Sequence, residues 1–220
     1  MKTNIRLLLI SLGAFALTLS SCTDLDTFPE SGVFTSDQKQ EIAEAIPERL
    51  SADVLGMYSL MGRAEAVFPG QERADDFGYP AVCVSWDANG SDFVTDESNY
   101  NWFSVASSYE DRIYTYANPA MRWRFFYKQM KMANDLLAAI PADTDVKTLK
   151  FYMGQALAIR AFDYLSLAPY FQFKFKGNEQ EPSVPIVTWD MTGDVSVNPR
   201  APQEDVYDLI IDDLTRAIEL

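Results

Sequence analysis

Trp123-Arg124-Phe125-Phe126-Tyr127-Lys128-Gln129-Met130 and, past one proline-containing break, Ala156-Leu157-Ala158-Ile159-Arg160-Ala161-Phe162-Asp163-Tyr164 decide how this chain folds. Around the first, Trp123, Phe126, Tyr127, Met130, Ala133, Leu137 and Ile140 recur at spacings of three and four, the period of an amphipathic helix. Asn118-Pro119 offers a cap and a first-turn proline for its start, and Pro141 stops it. After the turn Ala142-Asp143-Thr144-Asp145, a second stripe runs through Leu149, Tyr152, Met153, Ala156, Ile159, Phe162 and Leu165. It predicts a helix from about Val146 to Ala168. Two long helices joined by a few residues pack antiparallel. The expected fold is therefore mostly α, built on helical hairpins.

Towards the N-terminus, Pro47 divides a helix starting near Gln38, with Ser36 or Asp37 as cap, from a second helix over Ser51 to Met61. Towards the C-terminus, Phe171-Gln172-Phe173-Lys174-Phe175-Lys176 alternates with period two and predicts a short edge strand blunted by lysine. Pro199-Arg200-Ala201-Pro202 then leads into a helix with the stripe Val206, Leu209, Ile210, Leu214, Ala217 and Ile218. That stripe needs a partner surface, so the chain is expected to be the N-terminal part of something longer. Residues 63–117 lose helical periodicity yet hold Trp86, Phe93, Tyr100, Trp102, Phe103, Tyr109, Tyr114 and Tyr116. A loop region this long and this aromatic is where a binding surface is expected.

At the N-terminus, Lys2 and Arg6 precede an uncharged apolar run from Leu7 to Leu19, the layout of an export signal. Leu19-Ser20-Ser21-Cys22 looks like a bacterial lipobox, which makes Cys22 the expected lipid anchor. The expected organisation is a signal peptide over 1–21, a lipidated acidic tether over 22–35 and a folded part over 36–220. With a formal net charge of -14, nucleic acid is excluded as a partner. There is no histidine, so Ser-His-Asp and Cys-His catalysis and His-ligated zinc are excluded. Cys83 has no partner once Cys22 is acylated. Neither a phosphate-binding loop nor a dinucleotide fingerprint occurs. Tested as a calcium loop from Ser85, the chain places Asp87, Asn89, Gly90 and Asp96 at ligand or turn positions. It lacks the opening aspartate, the closing glutamate and a helix before the loop, so no metal and no cofactor are expected.

Three segments carry a family resemblance. Cys22-Thr23-Asp24-Leu25-Asp26 through Pro29 is the first. The second is Ala156 through Tyr164 with Leu167 and Tyr170-Phe171, followed by Val184-Pro185-Ile186-Val187. Pro199-Arg200-Ala201, Val206-Tyr207 and Ile211-Asp212-Asp213-Leu214 form the third. In this order they resemble the SusD/RagB family of outer-membrane nutrient-uptake lipoproteins, and the likeness spans essentially all 220 residues. Gln172 to Pro182 departs from the shorter family turn. The resemblance implies a SusD-like helical fold with tetratricopeptide-like hairpins and a long aromatic-rich loop region. It also implies a lipid-anchored protein at the surface of the outer membrane, without enzymatic activity. Its partners would be a glycan or other polymeric nutrient and a SusC-like TonB-dependent transporter.

Sugar rings offer a flat apolar face edged with hydroxyls, a shape matched by aromatic platforms beside Asp and Asn. Trp86, Asp87, Asn89, Asp92, Tyr100 and Trp102 have that composition, and Asn99 and Asn101 flank Trp102. The alternative for these tryptophans is core packing beneath a turn at Asn89-Gly90. Arg160 is expected to pair with a carboxylate between the hairpin helices. Two rival functions are weighed: a helical scaffold that binds only protein, and a surface glycoside hydrolase using two carboxylates.

Overall fold

In the computed structural model of the protein, residues 36–90, 95, 102–191 and 198–220 are described. The signal peptide, Cys22 and the tether lie outside the described residues, as do Asp92 and Tyr100. Helix α1 (Ser36–Ala45) ends before Pro47, a 3₁₀ turn takes up Pro47–Leu50, and α2 runs over Ser51–Met61. The proline divides the two helices as the sequence predicts.

Residues 62–78 are irregular but tied by carboxylates. Asp76 accepts from the amides of Val67 and Phe68, the latter at 2.7 Å, and Glu65 accepts from Gly70 N at 2.8 Å. Lys128 Nζ donates to Ala66 O at 2.8 Å, fastening this loop to the long hairpin. Gly78 then turns the chain against the end of α2. Its φ is 77°, and a Cβ there would stand 2.3 Å from Met61 O. Only glycine fits.

The next element corrects the sequence reading. Residues 79–89, expected to be loop, form helix α3 (Tyr79–Asn89), with proline in its first turn and Gly90 following its end. Ala81, Val82, Ser85 and Ala88 are buried, and that packing outweighs the poor helix propensity of Val82 and Val84. A single-turn helix α4 (Ser104–Ser107) and a 3₁₀ turn (Glu110–Arg112) follow.

Helices α5 (Ala117–Ala138) and α6 (Lys147–Phe171) form the expected hairpin. α5 starts two residues earlier than predicted, with Tyr116 in the cap position, so Asn118 sits buried inside the first turn rather than capping it. One core cluster joins Leu50, Val54 and Met57 to Leu136, Leu149, Met153 and Leu157. The other joins Leu60, Phe125, Phe126, Tyr164, Leu167, Val206 and Ile210. No strand occurs among the described residues: Phe171 is taken by the end of α6, and Phe173 is 71% exposed. The alternation at 171–176 is a helix end followed by a bend, with Gly177 at φ 85°.

Segment 183–187, which holds the Val-Pro-Ile-Val motif, is clamped to the hairpin by side chains. Tyr127 Oη donates to Pro185 O at 2.6 Å, Asn134 Nδ2 to Val187 O at 2.9 Å, and Val187 N to Tyr164 Oη at 2.7 Å. Burial pushes the Tyr164 hydroxyl up to about 12, so it stays a neutral partner. Arg200 donates to the carbonyls of Phe171, Pro182 and Ser183, closing the C-terminal end of α6.

Helix α7 (Gln203–Glu219) packs along α6 so closely that a side chain at Gly154 would begin 3.2 Å from Ala217 O. Arg160 pairs across this contact. Its Nε and Nη2 each donate to Asp213 at 2.7 Å, while Nη1 donates to Asn134 Oδ1 at 2.8 Å. The partner carboxylate therefore lies on α7, not between the two hairpin helices. Val206 and Ile210 are buried against the hairpin, whereas Ile211 and Ile218 remain exposed. The final stripe is thus covered along one edge.

Candidate functional site

On α3, Tyr79 and Trp86 stand seven residues apart and Asn89 three further on, which puts all three on one side of the helix. The last turns of α6 present Leu165, Ser166, Pro169 and Tyr170 towards them. Between these faces lies a cavity of about 620 Å³, completed by Arg112 and Gln172. Trp86 stacks on Tyr170 with centroids 5.6 Å apart and planes 20° apart. Tyr79 meets Trp86 edge-on at 5.9 Å. Two aromatic side chains from different helices make one continuous wall.

Behind this wall sits a buried charge pair. Arg122 donates to Asp111 Oδ2, and its guanidinium lies 4.5 Å from the centre of the Tyr170 ring. Asn89 Nδ2 donates to the same Asp111 oxygen at 3.1 Å and to Ala106 O at 2.7 Å. Both amide hydrogens of Asn89 are thereby used, so any further hydrogen bond to its side chain must be accepted by Oδ1. Burial raises the Tyr170 hydroxyl well above the ordinary tyrosine value, with Arg122 opposing, so Tyr170 is neutral at every physiological pH. Gln172 is pinned, donating to Tyr207 Oη at 3.0 Å and accepting from Ser183 Oγ at 2.6 Å. The Trp86 indole N–H is buried with no hydrogen-bond partner among the described residues.

Of the residues named from sequence, Trp86 and Asn89 come together in this cavity. Asp87 is exposed on the same helix and does not line it. Trp102 lies at a different place, half-buried, with the Arg73 guanidinium 4.5 Å from its ring centre and Arg73 itself forked onto Asp75. Tyr79, Arg112, Ser166, Tyr170 and Gln172 escaped the sequence reading as site residues. The seven-residue spacing of Tyr79 and Trp86 was the available signal for the first of them. No Asp or Glu lines the cavity among the described residues, so a two-carboxylate hydrolase would need its pair elsewhere.

Residues 80–220 match the family SusD-like_3, described as starch-binding and associating with the outer membrane. Among solved structures, the chain is similar to a SusD-like carbohydrate binding protein from Bacteroides vulgatus ATCC 8482, with a TM-score of 0.66 and 24% identity. That match covers 78% of this chain and 35% of the other, so the chain spans about a third of that protein's length. The likeness supports the fold. No curated protein matches the sequence.

Proposed function

This chain belongs to the SusD-like family, and from that premise we propose that it acts as a cell-surface lipoprotein that binds glycans and hands them to a SusC-like TonB-dependent transporter. Cys22 is its acylated anchor and 22–35 its tether. Two or three acyl chains hold such a protein on the membrane where a single chain binds only marginally.

The observation that carries the reading is the Trp86–Tyr170 wall facing a cavity of about 620 Å³. A pyranose ring covers apolar carbon–hydrogen groups against such a wall and turns its hydroxyls towards Asn89 Oδ1, the Ser166 hydroxyl and the Gln172 amide. Binding of this kind needs no cofactor and no covalent step. Because the wall is built from two rigid helices that pack before any ligand arrives, little ordering entropy opposes binding.

Calorimetric titration of the full chain with plant and host glycans tests this. Trp86→Ala is expected to weaken binding by about 1–3 kcal/mol, the range for losing an aromatic stacking platform. Trp102→Ala removes the Arg73 contact instead and is expected to lower the melting temperature while leaving affinity unchanged. The opposite pattern, with Trp102 carrying affinity and Trp86 none, would overturn the assignment of this cavity.

A further inference from the structure

Arg112 is the one charged residue lining the cavity among the described residues. It is exposed, and its guanidinium rests 4.9 Å from the centre of the Tyr109 ring. The neighbouring carboxylates are occupied. Glu110 accepts from Tyr116 Oη at 2.9 Å, while Asp111 is taken by Arg122 and Asn89. None of the described carboxylates forms an ion pair with Arg112. Its field nevertheless reaches the wall, since it is one of the charges that lower the Tyr170 hydroxyl against the effect of burial.

Resting on the glycan-binding reading above, we propose that this cavity selects an anionic saccharide, with the ring on the Trp86–Tyr170 wall and a carboxylate or sulfate on Arg112. A neutral sugar offers the guanidinium only uncharged hydroxyl acceptors in exchange for water. A carboxylate or sulfate matches its planar fork with two parallel, charge-assisted hydrogen bonds. The net charge of -14 does not contradict this. Charges more than a Debye length away, about 8 Å at physiological salt, are largely screened, whereas the contact with Arg112 is local. Tyr109 fixes the fork by stacking, and its own left-handed backbone (φ 62°) holds the turn that carries Arg112.

The test uses matched pairs of oligosaccharides titrated against the full chain. Uronic-acid oligomers are compared with their carboxyl-reduced forms, and sulfated oligomers with their desulfated forms. The acidic member of at least one pair is expected to bind roughly tenfold more tightly or better, as a charge-assisted fork implies. Arg112→Gln should bring that ratio close to one, and Arg112→Lys should restore only part of it. Lys131→Gln, which removes a cation paired with Asp135 away from the cavity, should leave the ratio intact. Equal binding of both members in every pair, with affinity still dependent on Trp86, overturns this inference and leaves the glycan reading standing. Failure of every sugar, neutral or acidic, overturns both.

Discussion

Asp213→Ala strips the Arg160 guanidinium of two of its three hydrogen bonds while leaving it buried between α5, α6 and α7. The Arg160 side chain is 3% exposed and that of Asp213 2%, so no water replaces the lost carboxylate without opening the helix contact. Asn134 Oδ1 remains as a single neutral acceptor at 2.8 Å. Removing one member of a buried pair costs about 3–5 kcal/mol, most of it from the uncompensated charge. In a domain of this size each kcal/mol lowers the melting temperature by roughly 2–4 °C, so a fall of about 6–20 °C is expected. Thermal denaturation followed by circular dichroism at about 222 nm, where helices give a strong negative signal, reads it (~1 °C precision suffices for an effect this large). The double variant Arg160→Met with Asp213→Leu should recover most of the loss, because both charges are then gone and the volume is refilled. If Asp213→Ala melts within about 2 °C of the wild type, about 0.5–1 kcal/mol and far below the expected ~3–5, the pair does not hold the three helices together. A double variant less stable than the sum of its singles would equally refute the argument.

Two further outcomes follow from local geometry. Gly78→Ala must place a Cβ about where Met61 O already stands, at positive φ, and is expected to cost about 2–4 kcal/mol by urea denaturation, while Gly62→Ala, which meets nothing, stays within about 0.5 kcal/mol. Asp163 is fully buried on α6 with neither carboxylate oxygen hydrogen-bonded among the described residues, and burial raises its pKa well above the ordinary value. The native state then keeps that proton to higher pH than the unfolded chain, so the contribution of Asp163 to stability is full below about pH 4 and is lost as pH rises through the native pKa. Asp163→Asn should remove this slope, matching the wild type in acid and melting higher at pH 8; identical slopes for the two proteins would show that Asp163 ionises freely.

The hairpin was legible because Trp123 to Ile140 and Leu149 to Leu165 repeat the helical period over many turns, and no local choice competes with it. Arg160 was legible as a paired group but not its partner. Asp213 is 53 residues away, and nothing in the spacing ranks it above the other acids. Helix α3 was hidden by two local signals, the β-branched Val82 and Val84 and the turn-like Asn89-Gly90. Both were overridden by packing that periodicity over eleven residues does not reveal. Its start and stop residues, Pro80 and Gly90, fit the helical pattern of proline near the beginning and glycine after the end. Phe171 to Lys176 erred in the other direction, since alternation over six residues is short enough to arise where a helix stops. Trp102 drew attention through its asparagine neighbours, but what meets its ring is a guanidinium, and composition does not distinguish a ligand's place from that of a cation.

The cavity owes its shape to the same contacts that hold α3 in place. Asp111 is the junction: it receives Arg122 from α5 and Asn89 from α3, and so ties the turn before the hairpin to the helix that carries Trp86. Arg122 then reaches Tyr170, the other half of the wall. A displacement of α3 thus breaks the Asn89–Asp111 hydrogen bond as well as the Trp86–Tyr170 stack, and the cost of taking a donor away from a buried carboxylate opposes that movement in the absence of ligand. Arg112, one residue after Asp111, inherits this placement without sharing the burial. The chain therefore fixes a charged rim by anchoring its neighbour. Binding sites gain affinity when their first contacts are held by a packed and hydrogen-bonded layer behind them. Here that layer consists of one carboxylate, one guanidinium and one amide, drawn from three elements that the sequence separates by up to 33 residues, counted from Asn89 to Arg122.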